Sequence, residues 1–149
     1  MQRSHSMCQK NVSAALDYLV QNNLSKTLVV FGFSKGAGLG FEIINQRKDV
    51  VAFIEFYGDV PGADSKDNEI RKATENLPPL LIIHGEKDKV VAVKKANKIY
   101  SIMSNNGNTV EKLIIPKVGH AFPLSKDIND LNATETCKIE IEIFLKKHL

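Results

Sequence analysis

Val12, Ala15, Leu16, Leu19 and Val20 fall on one face of a helix at 3.6 residues per turn, and the polar run Gln21-Asn22-Asn23 ends it. Residues 27–31 break that rhythm. They form a continuous apolar run, rich in β-branched side chains and bounded by Gly32, as expected of a strand covered on both faces. Helical spacing returns over residues 35–46, with Ala37, Phe41 and Ile44 on one side. Gly38 and Gly40 each lower its helix propensity by roughly 1 kcal/mol relative to Ala, which points to close packing. The alternation then repeats. Residues 50–56 read as a second buried strand, residues 59–65 as a turn-rich stretch and residues 66–74 as a short helix. A third strand spans 80–83, introduced by Pro78-Pro79 and ended by Gly85. Val93, Ala96, Ile99, Tyr100 and Met103 mark a helix that stops at Asn105-Asn106-Gly107, and residues 110–115 form a fourth strand. In the tail, Cys137, Ile139, Ile141 and Ile143 alternate as in a strand, whereas Cys137, Ile141, Phe144 and Leu145 fit a helix. The Glu- and Lys-rich setting favours the helix.

Buried strands alternating with helices predict an α/β fold, a mostly parallel sheet flanked by helices. The 149 residues suit one domain, spanning 1–149, with no internal repeat or linker. The chain is 43% hydrophobic and 25% charged, which excludes a disordered chain. A net charge of +3 gives no basis for a nucleic-acid or membrane partner. No apolar stretch approaches the ~18 residues of a membrane span, and the N-terminus lacks the apolar core of a secretory signal. Cys8 and Cys137 lack metal or redox spacing and read as free thiols, so a cytoplasmic location is expected.

The chemistry starts at Gly32-Phe33-Ser34-Lys35-Gly36, a G-x-S-x-G sequence placed between a predicted strand and a predicted helix. That setting is a nucleophile elbow: glycines permit the sharp turn, and the serine hydroxyl stands clear at the carboxyl edge of the sheet. The Lys35 N–H and the positive end of the following helix face the place where an oxyanion would form. The plain alternative is a glycine-rich turn with an incidental serine. A serine needs a base and a group to orient that base. Asp88 follows the third strand and His120 the fourth, giving the chain order Ser34, Asp88, His120. Loops after parallel strands emerge on one edge, so the three side chains should converge there. Asp59, after the second strand, is a weaker orienting candidate. His84 reads as structural, His5 and His148 as solvated, and Lys94, Lys95 and Lys98 as the wet face of a helix. No metal-binding spacing or phosphate loop appears.

Four segments, Gly32–Gly38, Phe56-Tyr57-Gly58, Ile83–Asp88 and Gly119-His120-Ala121-Phe122, resemble the dienelactone hydrolase family of the α/β-hydrolase superfamily. The resemblance implies a hydrolase of carboxylic esters, lactones or related acyl compounds, acting without metal or organic cofactor on a small-molecule substrate. It maps Ser34 to the nucleophile, Asp88 to the acid and His120 to the base. Phe33, Tyr57 and Phe122 are expected either to line an apolar acyl pocket or to sit in the core. The founding members carry cysteine where this chain has Ser34, and relatives with serine act as general esterases. Relatives also place several strands before the elbow, including a loop that donates a second oxyanion N–H. The chain therefore reads as the C-terminal portion of the fold, a partial α/β-hydrolase. The strand over 27–31 should then be an open edge, pairing in a homodimer or with a separately encoded N-terminal half. The competing reading is a truncated, non-catalytic fragment acting as a binding or assembly module.

Overall fold

The computed structural model describes residues 2–61 and 66–149. Ten elements follow one another: α1 (Gln2–Gln21), β1 (Leu28–Phe33), α2 (Lys35–Ile44), β2 (Val50–Phe56), α3 (Asp67–Thr74), β3 (Leu80–Gly85), α4 (Lys94–Asn105), β4 (Val110–Ile115), a 3₁₀ turn (Phe122–Leu124) and α5 (Ile128–His148). The four strands are parallel and stand in sequence order, β1-β2-β3-β4. Right-handed crossovers between successive neighbours put α2, α3 and α4 on the same face. There Phe41, Ile44, Ile70, Ile99 and Met103 pack on Leu28, Phe53, Leu80 and Ile82, and α1 adds Leu16 and Val20. The opposite face is covered by α5, whose Ala133, Cys137 and Phe144 meet Ala52, Ile54, Leu81, Ile83 and Ile115. This is the expected α/β layering.

Every residue of β3 is buried and β2 nearly so, which is why neither shows an apolar–polar alternation. β1 is an edge. Leu28 N–H donates to Asp49 O and Ser34 N–H to Phe56 O, each at 2.8 Å. The period of two then turns the backbone groups of Val29, Phe31 and Phe33 outward, where they have no partner among the described residues. Phe31 and Phe33 are each 45% exposed.

Several boundaries differ from the sequence reading. Helix α1 starts at Gln2, well before Val12. Its polar first half is tied down by His5 and Gln9, each 2.8 Å from Glu42 Oε2, and Arg47 Nη1 reaches Asp17 at 2.7 Å. Apolar periodicity is blind to such contacts. β1 extends through Gly32 and Phe33, which pair with Glu55 and Phe56, and β3 extends through His84 and Gly85. The tail is helical as expected. The histidines assigned to solvent are engaged: His5 on Glu42, and His148 Nε2 on Glu111 at 2.7 Å. Lys95 pairs with Asp59 and Lys98 with Asp67, so α4's lysines are not simply a wet face. The expected turn over 59–65 lies partly outside the described residues. Cys8 and Cys137 are both free, and burial pushes the Cys137 thiol up to about 11. Among the described residues no helix is long and apolar enough to cross a membrane.

The glycines of α2 serve packing, and they do so unequally. A Cβ at Gly40 would lie 2.5 Å from the Phe53 ring, whereas one at Gly36 would meet nothing within 4 Å. Opposite signs follow for the same substitution. Gly36→Ala should raise stability by up to about 1 kcal/mol through helix propensity. In Gly40→Ala that gain is outweighed by overpacking of about 1–3 kcal/mol against a fully buried ring. Urea unfolding of the two variants checks the contrast.

Candidate active site

Ser34 sits on the turn from β1 into α2 with φ 51 and ψ −117, a strained backbone for a residue with a Cβ. The neighbourhood enforces it. A Cβ at Gly32 would stand 2.6 Å from Ala37 Cα, and one at Gly58 only 2.4 Å from Ala37 Cβ, so both positions need glycine for α2 to come this close. Ser34 O accepts from Ala37 N–H at 3.0 Å and Gly38 N–H at 3.2 Å, closing the first turn. The N–H groups of Lys35 and Gly36 have no acceptor among the described residues. They lie at the positive end of α2, next to the serine hydroxyl.

Asp88 comes from the loop after β3. Its Oδ1 accepts from Val90 N–H at 2.8 Å and Val91 N–H at 2.9 Å, an arrangement that fixes the carboxylate plane. Burial alone would push its carboxyl up; the His120 hydrogen bond and those from Val91 and Val90 outweigh it, so the group lies below its ordinary value. It is therefore ionised at neutral pH. His120 comes from the loop after β4, just before Ala121, whose φ of 57 is left-handed. His120 Nδ1 is 2.7 Å from Asp88 Oδ2, and His120 Nε2 is 2.9 Å from Ser34 Oγ. Asp88 accepts through Oδ2 from Nδ1–H, which leaves Nε2 free to accept from the serine hydroxyl.

The two loops are laced together. Glu86 N–H donates to Ile115 O at 2.9 Å, Lys87 N–H to Val118 O at 2.9 Å, and Lys117 N–H to Glu86 Oε2 at 3.1 Å. A Cβ at Gly85 would come within 2.7 Å of both Val118 O and Gly119 O. Bonds between the two loops thus fix the acid's loop against the imidazole's. Beside Ser34 opens a cavity of about 300 Å³ lined by His5, Lys35, Gly38, Asp59, Pro61 and Val91. None of the three aromatic residues lines this cavity, and two of them take the core alternative. Phe33 is half-exposed and stacked on Phe56 at 4.6 Å, while Tyr57 and Phe122 are buried. The Tyr57 ring stands edge-on to the His120 ring at 4.6 Å, a support under the imidazole. Asp59 pairs with Lys95 rather than with His120.

The sequence profile of the dienelactone hydrolase family matches residues 1–148. The chain belongs to the dienelactone hydrolase family. Esterase LipC of Mycobacterium tuberculosis is 36% identical over 56 residues, 37% of this chain and 14% of that protein. A putative dienelactone hydrolase from Klebsiella pneumoniae superposes with a TM-score of 0.72 at 18% identity, covering 92% of this chain and 61% of the other. Esterase PE8 gives 0.67 at 22% identity, covering 97% and 62%. At such identities these structures speak for the fold. This dienelactone hydrolase family member spans about three fifths of their length.

His84 has the structural role read from its place at a strand end. It is fully buried at the end of β3, with Nε2 2.8 Å from Val91 O and 3.3 Å from Asp88 Oδ2. Burial is the main influence and lowers its basicity, so it stands neutral, with its Nε2–H on the Val91 carbonyl and no second charge beside the acid. The signal of its nearness to the acid was its place four residues before Asp88.

The lowered Asp88 carboxyl links the site to acid stability. A depressed carboxyl stabilises the folded state above its unfolded value near 3.8, and the contribution is lost as pH falls through the lower folded value. Asp88→Asn lacks this titration. Its thermal midpoint should therefore trail the wild type most at about pH 7, and the gap should narrow towards about pH 3.

Proposed function

We propose that this dienelactone hydrolase family member is a serine hydrolase cleaving carboxylic esters or lactones through an acyl-enzyme. The observation that carries the reading is the pair of contacts on one imidazole, 2.9 Å to Ser34 Oγ and 2.7 Å to Asp88 Oδ2. Ser34 Oγ attacks the acyl carbonyl while His120 Nε2 takes its proton. Asp88 holds Nδ1–H and stabilises the imidazolium that forms. The Lys35 N–H donates to the oxyanion at the positive end of α2. His120 returns the proton to the leaving alcohol, or to the ring oxygen of a lactone. Water, deprotonated by His120, then attacks the acyl carbon, and His120 returns that proton to Ser34 Oγ as the acyl–serine bond breaks and the acid leaves. The cavity beside Ser34 offers Pro61 and Val91 as apolar wall, with Lys35 and His5 at its polar side. The acyl group lies there in this mechanism.

A fluorophosphonate probe and p-nitrophenyl acetate test the proposal. Wild-type chain should label and turn over, and Ser34→Ala should do neither. Asp88→Asn should retain its KM while kcat falls by about 10⁴ at neutral pH, because the wrong tautomer is favoured. Folded wild-type chain that neither labels nor hydrolyses the ester would remove the proposal.

A second reading, an assembly module, draws on β1. Its outward backbone groups face away from β2 and have no partner among the described residues, and the strand Leu28–Phe33 carries no charge to repel a copy of itself across a twofold axis. That reading commits to antiparallel β1–β1 pairing of two copies. Light scattering should show a dimer, and the Val29, Phe31 and Phe33 amides should exchange slowly. A monomer with fast exchange at those three amides sinks it.

A further inference from the structure

Glu55 is fully buried on β2, paired across the sheet with Gly32 on β1 and Ile82 on β3. A buried carboxyl in the middle of a sheet is expensive unless it has a task. Its Oε2 accepts from Gly58 N–H at 2.8 Å. Gly58 is wedged: a Cβ there would meet Ala37 Cβ, Glu55 Oε2 and, at 3.4 Å, Ser34 O. The preceding residue, Tyr57, has a left-handed φ of 43, a conformation that needs its surroundings to hold it. Phe56 O takes the Ser34 N–H, and the Tyr57 ring abuts His120. The segment Phe56–Gly58 therefore touches both the serine backbone and the imidazole, and one side chain, Glu55, ties it from below.

A second observation converges on the same carboxyl. Among the described residues, the buried side-chain polar atoms without a partner are Glu55 Oε1 and His84 Nδ1. They are not bonded to each other, though chemically complementary. Desolvation raises the Glu55 carboxyl to about 8, so at neutral pH it carries a proton to donate, whereas neutral His84 presents Nδ1 as an acceptor. Glu55 pairs with Ile82, and His84 lies two residues further on the same face of β3. The other charged group acting on Glu55 is Asp59, which is held by Lys95. β1 and α2 contribute Gly32 and Ala37 there.

We infer that Glu55 is a positioning residue of the site, bracing the Tyr57–Gly58 turn against which Ser34 and His120 are set. Its effect on turnover rests on the serine-hydrolase reading; its effect on His120 does not. Glu55→Gln keeps an acceptor for Gly58 N–H and an N–H in place of the acid proton. Glu55→Leu keeps neither. In the full chain, imidazole NMR resonances of His120 should stay at wild-type positions in Glu55→Gln and be displaced in Glu55→Leu. With p-nitrophenyl acetate, Glu55→Leu should lose about 10²-fold in kcat with little change in KM, and Glu55→Gln should restore it. Stability gives an independent readout. The folded carboxyl titrates near 8 against 4.5 unfolded, so the wild type loses stability as pH rises between those values and Glu55→Gln does not. The thermal midpoint of Glu55→Gln should gain on wild type across that window even if Glu55→Leu fails to fold. Folded Glu55→Leu with unmoved His120 resonances overturns the inference. So does a Glu55→Gln that displaces them, or a midpoint difference that is flat with pH. If the wild type shows no turnover while the resonances behave as stated, the hydrolase reading falls and the positioning role stands.

Discussion

The close approach of α2 to the carboxyl ends of β1 and β2 is the constraint on which the rest of the site depends. Gly32, Ala37 and Gly58 form a contact with no room for another carbon, and Ser34 is turned through a strained backbone because of it. That strain is sustained by ordinary forces: a hydrogen bond from Ser34 N–H to Phe56 O, the first-turn bonds to Ser34 O, and a helix anchored by Phe41 and Ile44 in the core. If α2 lifted from the sheet, the serine could relax into an ordinary helical N-cap, and its hydroxyl would leave the imidazole. Packing on one face of the sheet is thus converted into chemistry at its edge.

Most of this was legible in the residues because the informative signals are local. A run of apolar β-branched residues ended by glycine marks a strand wherever it occurs, and the loop after each strand is then known to lie on one edge. Ser34, Asp88 and His120 could be brought together on those grounds alone. What escaped was whatever depends on distant pairs. The polar start of α1 is held by Glu42 from α2, and Asp17 further along it by Arg47 from the loop after α2, and no periodicity records that. The aromatic residues were recognised as neighbours of the site, yet their side of the backbone was not: Tyr57 is left-handed, which sends its ring beneath the imidazole rather than into the cavity wall. The tail was ambiguous for a physical reason. Ile139 and Ile143 are exposed while Cys137 and Phe144 are buried, so the apolar residues of α5 do not share one stripe.

Glu55 shows the limit from the other side. In the string Val-Val-Ala-Phe-Ile-Glu-Phe it reads as a lone charge interrupting a buried strand, a local inconsistency of the sort that gathers at working sites. The sequence pattern offered no partner for it: Gly58 N–H, three residues on, reaches it through the left-handed turn at Tyr57, and His84 joins the same sheet face only once β3 lies beside β2.

The site is also self-contained in its bonding. Ser34 is delivered by β1, Asp88 by β3 and His120 by β4, and the lacing of the last two loops involves only residues 85–88 and 115–119. None of these bonds uses the outward edge of β1, whose backbone groups point away from β2 and have no partner among the described residues. Whatever lies against that edge must act on the triad geometry through β1 itself, by shifting Gly32 and Phe33 relative to Glu55 and Phe56. The parallel ladder resists such a shift, since a slip of one residue would turn Phe33 and Val29 to the wrong face of the sheet. Occupation of the edge and formation of the Ser34–His120–Asp88 arrangement are therefore separable physical events, the first set by backbone groups facing out and the second by side chains facing the rim.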